Sequence, residues 1–106
     1  MPAVADLEQT IEKTLARVQE RVRVQAAYLF GSQLTGEADE DSDIDLAIFT
    51  PDVNGMNVVQ RIHLTSEIAV ECDSRVELHL YSSKVLAEAR PSNFAGYIVT
   101  HGKRLI

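Results

Sequence analysis

The chain has 106 residues, of which 45% are hydrophobic, and its 16 acidic and 10 basic side chains give a formal net charge of −6. This length predicts a single domain over residues 1–106, with enough apolar residues to build one core. No apolar run reaches the roughly 18 residues of a membrane span, and the N-terminus does not resemble a secretion signal. The one cysteine, Cys72, excludes a disulfide framework and a cysteine-based zinc site, so we expect a reduced, cytoplasmic protein.

The negative charge is concentrated in one part of the sequence. No Lys or Arg occurs between Arg23 and Arg61, whereas seven acidic residues fall there: Glu37, Asp39, Glu40, Asp41, Asp43, Asp45 and Asp52. Because its charge is negative, such a segment does not by itself bind phosphate groups, and we expect no direct binding of nucleic acid. It is compatible with a solvated loop or with a cation site.

The N-terminal part predicts a helix, a strand and a turn. Apolar residues at spacings of three or four define the helix face: Leu7, Ile11, Leu15, Val18 and Val22. The short apolar segment from Val24 to Phe30 predicts a buried strand that ends at Gly31. Residues 32–41 are polar and include Gly36, so they predict a turn with room for one turn of helix.

Two later segments alternate between apolar and polar residues, as half-buried strands do. In residues 42–49, Asp43 and Asp45 share one face. In residues 75–81, Glu77, His79 and Tyr81 share one face. For His79, both a role in a site and an ordinary strand position remain open.

Three further helices are predicted around these strands. The longest covers residues 57–71, and the residues expected to face the sheet are Val59, Ile62, Ser66 and Ala69 or Val70. Shorter helices are expected over residues 83–89 and from Pro91 to Gly102. The order αβ(α)βαβα predicts an α/β (α+β) fold with a small mixed β-sheet flanked by helices.

Two aspartates and a Gly-Ser turn form the candidate site. Asp43 and Asp45 are roughly 6.6 Å apart along a strand, so their carboxylates can converge on one or two divalent cations. Hard cations such as Mg²⁺ prefer oxygen ligands and leave positions for substrate phosphates. Gly31 permits close approach of the backbone, and Ser32 offers an N–H and a hydroxyl to a phosphate.

This arrangement resembles the signature of the polymerase-β-like nucleotidyltransferase superfamily. Gly31-Ser32-Gln33-Leu34-Thr35-Gly36, six further residues and then Asp43-Ile44-Asp45 match its Gly-Ser turn, second glycine and Asp-x-Asp strand. The stretch GSQLTGEADEDSDIDL looks most like the minimal nucleotidyltransferases found in HEPN/MNT toxin–antitoxin pairs. The tail FAGYIVTHGKRLI is similar to their closing helix, glycine and strand.

The resemblance implies a role for each matching residue. Gly31, Ser32 and Gly36 would bind the nucleotide, with Ser32 on its terminal phosphates. Asp43, Asp45 and Glu77 would be both the metal ligands and the catalytic carboxylates. Glu77 stands where the family more often has Asp. The resemblance further implies two Mg²⁺ ions and ATP or another nucleoside triphosphate as substrate.

It also implies an activity and partners. The expected reaction transfers a nucleoside monophosphate, AMP from ATP, to a hydroxyl of a partner protein, so that the chain acts as the antitoxin of a HEPN toxin. We expect a HEPN-domain partner, a possible homo-oligomer and no membrane contact. The positive charge that faces the triphosphate would come from Mg²⁺, from Arg61, Arg75, Lys84 or the Lys103-Arg104 pair, or from another chain.

Two alternatives stay open. Glu77 and the absence of a basic residue between Ser32 and Gly36 favour a catalytically weak or inactive module that binds nucleotide or its partner protein. A small-molecule acceptor ranks third, because the chain lacks the extra domain that such enzymes use.

Overall fold

The elements that the structure describes follow the predicted order, whereas the turn of helix expected within residues 32–41 lies outside the described residues. In the computed structural model, residues 4–31 and 43–106 are described, with side chains from Leu7 onward. The helices are α1 (Val4–Arg21), α2 (Val58–Cys72), α3 (Ser83–Ala87) and α4 (Phe94–His101), with a short 3-10 helix at Pro51–Gly55. The strands are β1 (Ala26–Phe30), β2 (Ile44–Phe49), β3 (Val76–Tyr81) and β4 (Lys103–Arg104).

The four strands form one mixed sheet in the order β3-β2-β1-β4. β1 is antiparallel to β2 and to β4, whereas β2 and β3 are parallel and are joined through α2. A parallel pair needs such a crossover, which α2 supplies. The predicted α/β class and mixed sheet are therefore confirmed, and the short β4 agrees with the strand suggested by the C-terminal tail.

The main core lies between one face of the sheet and helices α1 and α2. The predicted face of α1 is confirmed, since Ile11, Leu15, Val18 and Val22 are buried and Leu7 packs against them half-buried. These side chains meet the inward residues of the strands, among them Ile44, Leu46, Ile48, Val76 and Leu78. Burial of each large aliphatic side chain contributes about 1.5–3 kcal/mol to stability.

The predicted inward face of α2 is wrong. Val59, Ile62 and Val70 are exposed by 62%, 56% and 85%, Ser66 is also exposed, and Ala69 is half-buried. The helix instead buries Leu64 and Ile68, and Cys72 packs half-buried against the same core. Two apolar stripes run along this helix, and the one at positions 64, 68 and 72 faces the sheet.

The opposite face of the sheet is covered over only part of its length. Ala26, Tyr28, Ala47 and Phe49 form a second, smaller core with Ile98 of α4. The start of β2 and the end of β1 lie toward the other end of the same face. That end carries the polar residues of the candidate site.

No helix within residues 4–31 and 43–106 combines the length and the apolar character that a bilayer crossing requires.

Candidate functional site

The site is built on one row of the sheet. Asp45 on β2 lies opposite Phe30 of β1 on one side and opposite Glu77 of β3 on the other. His79 follows Glu77 by two residues and lies opposite Ala47. Since residues two apart on a strand share a face, Asp45, Glu77 and His79 all project from the same side of the sheet.

The side chains of these three residues converge. One potential metal-ligand atom from each of Asp45, Glu77 and His79 lies within 4.8 Å of the other two. The Nε2 atom of His79 is 3.2 Å from Oδ1 of Asp45. The side chains of Asp45 and His79 are 21% and 31% exposed, so the cluster is accessible from solvent but partly shielded by its neighbours.

Gly31 makes room for the Asp45 carboxylate. It follows β1 directly and adopts φ +85°, a backbone conformation that residues with a side chain rarely adopt. A Cβ atom on this residue would lie 2.5 Å from Oδ2 of Asp45. In this structure the group that lies against Gly31 is the Asp45 carboxylate, and the binding of a nucleotide at this glycine stays a prediction.

The other predicted site residues fall into two groups. Asp43 is exposed and immediately precedes β2, two residues before Asp45, and it is not one of the three converging residues. Ser32 and Gly36, predicted to bind the nucleotide, lie outside the described residues. The predicted set of Asp43, Asp45 and Glu77 thus has two members in the cluster, and His79 joins them.

The donor set suits a divalent cation. Two carboxylates supply oxygen ligands and negative charge, which hard cations such as Mg²⁺ require. The absence of a side chain on Gly31 lets the Asp45 carboxylate take its position in the cluster, where a Cβ atom would lie 2.5 Å from Oδ2. By their chemistry and spacing, Asp45, Glu77 and His79 could hold a metal ion.

The basic side chains expected to face the triphosphate lie in different surroundings. Arg75 forms an ion pair with Asp73, and this contact holds the pKa of the Asp73 carboxyl below its usual value. Arg61 donates a hydrogen bond to the carbonyl of Val53. Arg104 pairs with Tyr28 across β4 and β1.

Arg104 shares the site face of the sheet. Its guanidinium carbon lies 6.0 Å from the ring centroid of Tyr28, a residue in the smaller core on that face. Its neighbour Lys103 pairs with Leu29, which belongs to the core on the other face. Of these two adjacent residues, Arg104 is the one on the face that carries the carboxylates, and its Nε donates a hydrogen bond to the carbonyl of Ile106.

An aromatic cavity adjoins the site on the same face. It has a volume of about 260 Å³ and is lined by residues of β2, β3, α3 and α4, including Phe49, Tyr81 and Phe94. Phe94 also contacts Phe30, whose ring lies 5.2 Å from that of His79. Burial raises the pKa of the Tyr81 hydroxyl above its ordinary value.

Comparison with known proteins identifies the fold and its relatives. Residues 9–106 match the family model described as Polymerase beta, Nucleotidyltransferase. No curated protein sequence matches the chain significantly. Among solved structures, a chain of a toxin–antitoxin complex crystallised with AMP-PNP shares 30% identity, with a TM-score of 0.64, over 90% of this chain and 71% of its own length.

Two further structures show the same relationship. A chain of the toxin–antitoxin MntA-HepT is 26% identical with a TM-score of 0.60, covering 93% of this chain and 71% of its own. The same values hold for a chain of a Shewanella oneidensis complex between a tri-AMPylated HEPN toxin and an MNT antitoxin. The chain is therefore similar to proteins of toxin–antitoxin pairs.

Proposed function

Since this chain belongs to the polymerase β nucleotidyltransferase family, we propose that it is a single minimal nucleotidyltransferase domain that moves AMP from ATP to a hydroxyl of a partner protein. The observation that carries the proposal is the pairing of Asp45 with Glu77 on parallel neighbouring strands. Their donor atoms lie close enough to act on one substrate. A related structure holds AMP-PNP, and another contains an AMPylated toxin, which supports ATP as the donor.

Each site residue has a role in this reaction. Gly31, Ser32 and Gly36 bind the nucleotide, with the hydroxyl and N–H of Ser32 on the terminal phosphates. Glu77 orients the acceptor hydroxyl and accepts its proton. The acceptor oxygen then bonds to the α-phosphorus as the bond to the β-phosphate breaks, and pyrophosphate leaves.

Asp43, Asp45 and Glu77 would hold the divalent cations that this chemistry uses, with two Mg²⁺ ions as the expected complement. Magnesium bound there supplies the positive charge that a triphosphate needs at the reacting centre. Arg104 provides further positive charge from β4, because it lies on the site face whereas Lys103 does not.

The acceptor comes from a second protein. The related structures contain a HEPN toxin or a toxin–antitoxin pair, and we propose a HEPN-domain protein as the partner of this chain. The chain would then act as its antitoxin in the cytoplasm. The other source of an acceptor surface would be a second copy of this chain.

The test is transfer of labelled AMP. The purified chain is incubated with [α-³²P]ATP, Mg²⁺ and the product of the neighbouring gene as candidate partner, and the partner's mass and label are measured. We expect one or more AMP additions to the partner, lost in Asp45→Asn. Glu67→Gln, an isosteric change of an exposed acidic residue on α2, is the matched control. Label that survives Asp43→Asn combined with Asp45→Asn would rule the proposal out.

A second candidate function is a module that neutralises its partner by binding alone. The observation that favours it is the exposed apolar stripe of α2 formed by Val59, Ile62 and Val70. An exposed apolar surface of this kind is typical of a protein interface. Under this alternative the partner binds with unchanged mass in the presence of Mg²⁺ and ATP.

A further inference from the structure

His79 is held in a fixed position beside the carboxylates. Its Nε2 atom lies 3.2 Å from Oδ1 of Asp45, and its ring packs at 5.2 Å against the ring of Phe30. The side chain is 31% exposed, so it is neither a solvent-facing strand residue nor a fully buried one. The ring nitrogen Nε2 therefore points at the carboxylate cluster, and an ion bound there would replace its hydrogen-bond contact with Asp45.

The spacing of the three donor atoms fits a shared ion. An octahedral ion with ligands at about 2.1 Å places adjacent ligand atoms about 3.0 Å apart and opposite ones about 4.2 Å apart. The distance between His79 Nε2 and Asp45 Oδ1 is 3.2 Å, and all three donors lie within 4.8 Å of one another. Small side-chain adjustments would bring the imidazole and both carboxylates onto one ion.

An imidazole changes which metal such a site prefers. Mg²⁺ selects sites made of oxygen ligands, whereas first-row transition ions accept imidazole together with carboxylate. The site offers one nitrogen and two carboxylate groups, from His79, Asp45 and Glu77. This mixture favours a transition ion with octahedral geometry over Mg²⁺.

We propose that His79 is a direct metal ligand, and that it makes the site prefer Mn²⁺ to Mg²⁺. The use of that ion for nucleotide transfer rests on the proposed function, but the ligation does not. The other two histidines serve as controls, because His63 is exposed on α2 and His101 contacts Tyr97 at the end of α4. Neither belongs to the converging cluster.

The experiment measures ligation directly in the full chain loaded with MnCl₂. Electron spin echo envelope modulation detects ¹⁴N coupled to bound Mn²⁺, and competition with MgCl₂ gives the ratio of the two affinities. We expect nitrogen modulation in the wild type, in His63→Gln and in His101→Gln. In His79→Gln the modulation should vanish and Mn²⁺ affinity should fall about tenfold.

A second variant separates the loss of the nitrogen ligand from a loss of folding. His79→Asp replaces the nitrogen donor with an oxygen donor, so it should still bind an ion, show no nitrogen modulation and lose about tenfold of the preference for Mn²⁺. Bound Mn²⁺ without nitrogen modulation in the wild type, or an unchanged metal preference in His79→Asp, overturns the proposal. So does failure of the wild type to bind Mn²⁺. Nitrogen modulation without any AMP transfer would instead contradict the proposed function alone.

Discussion

The carboxylate of Asp45 occupies the space that a Cβ atom on Gly31 would need, with Oδ2 only 2.5 Å from that position. Its other oxygen faces Nε2 of His79 at 3.2 Å. Gly31, directly after β1, and His79, on the edge strand β3, therefore define the carboxylate's position from two sides. The backbone of Gly31 is as much a part of the site's geometry as the charged side chains.

Gly31→Ala should damage the site more than the fold. The positive φ of Gly31 costs an alanine about 1–2 kcal/mol, and the added methyl group must displace the Asp45 carboxylate. We expect Mn²⁺ affinity to fall about tenfold or more, measured by titration, with a modest loss of stability in urea unfolding. Gly55→Ala is the control, since nothing lies within 4 Å of its Cβ position. Equal metal affinity in the two variants would contradict this role.

Substitutions on α2 should distinguish its two apolar stripes. Ile68 is 1% exposed and Val70 is 85% exposed. Ile68→Ala should lower the free energy of unfolding by about 2–4 kcal/mol because it leaves a cavity, whereas Val70→Ala should change it by less than about 0.5 kcal/mol. Chemical denaturation measures both. A larger loss in Val70→Ala would mean that the helix is rotated from the position described.

Arg104→Gln should weaken nucleotide binding. If Arg104 faces the triphosphate, its loss removes a charge-assisted contact, and the dissociation constant for ATP with divalent cation should rise about tenfold. Isothermal titration calorimetry measures it. Lys103→Gln provides the comparison, because it removes the same charge one residue away on the opposite face of β4. Similar losses in both variants would assign the effect to overall charge.

Acid should destabilise the fold through Asp73. Arg75 holds the pKa of the Asp73 carboxyl below the ordinary 3.8 by hydrogen bonding to it through its side chain and its backbone N–H. The pair therefore stabilises the protein above the unfolded pKa, and this contribution is lost as the pH falls below about 4 through the folded pKa. Asp73→Asn should flatten the fall in unfolding free energy over that range, measured by urea denaturation at several pH values. An equally steep fall in the variant would exclude this pair as the cause.

Much of the fold follows from local pattern. The stripe of α1 from Leu7 to Val22 has a single apolar face, so periodicity identifies it without ambiguity. In residues 42–49 the alternation likewise assigns Asp43 and Asp45 to one face of the strand, and in β3 it assigns Glu77 and His79 to one face. Those predictions depend only on which neighbours along the chain share a side.

The face of α2 could not be predicted in this way. Val59, Ile62 and Val70 form one apolar stripe, and Leu64, Ile68 and Cys72 form another, so periodicity alone does not choose between them. The choice is made by contacts with β3 and α1, which depend on the three-dimensional path of the chain. Leu64 and Ile68 are the side chains that fill the space at the sheet.

The site could also be predicted only in part, because contacts between strands depend on the three-dimensional path of the chain. The sequence shows that Asp45 and Glu77 lie on strands, but their adjacency depends on the parallel register of β2 and β3. The contact between His79 and Asp45 depends on the same register and on the ring of Phe30. The alternation of β3 was the signal that placed His79 beside Glu77, and only distances could add that its ring reaches Asp45.

The two strands that carry the cluster are held very differently. β2 hydrogen-bonds to a strand on each side, whereas β3 bonds to β2 alone among the strands described. Alternate amides of β3 therefore point away from the sheet, and the strand can separate from it more readily than β2 can. An occupant that ties Glu77 and His79 to Asp45 would restrain that separation. Slower hydrogen–deuterium exchange along β3, with β2 unchanged, would then report occupancy of the site without a label on the ligand.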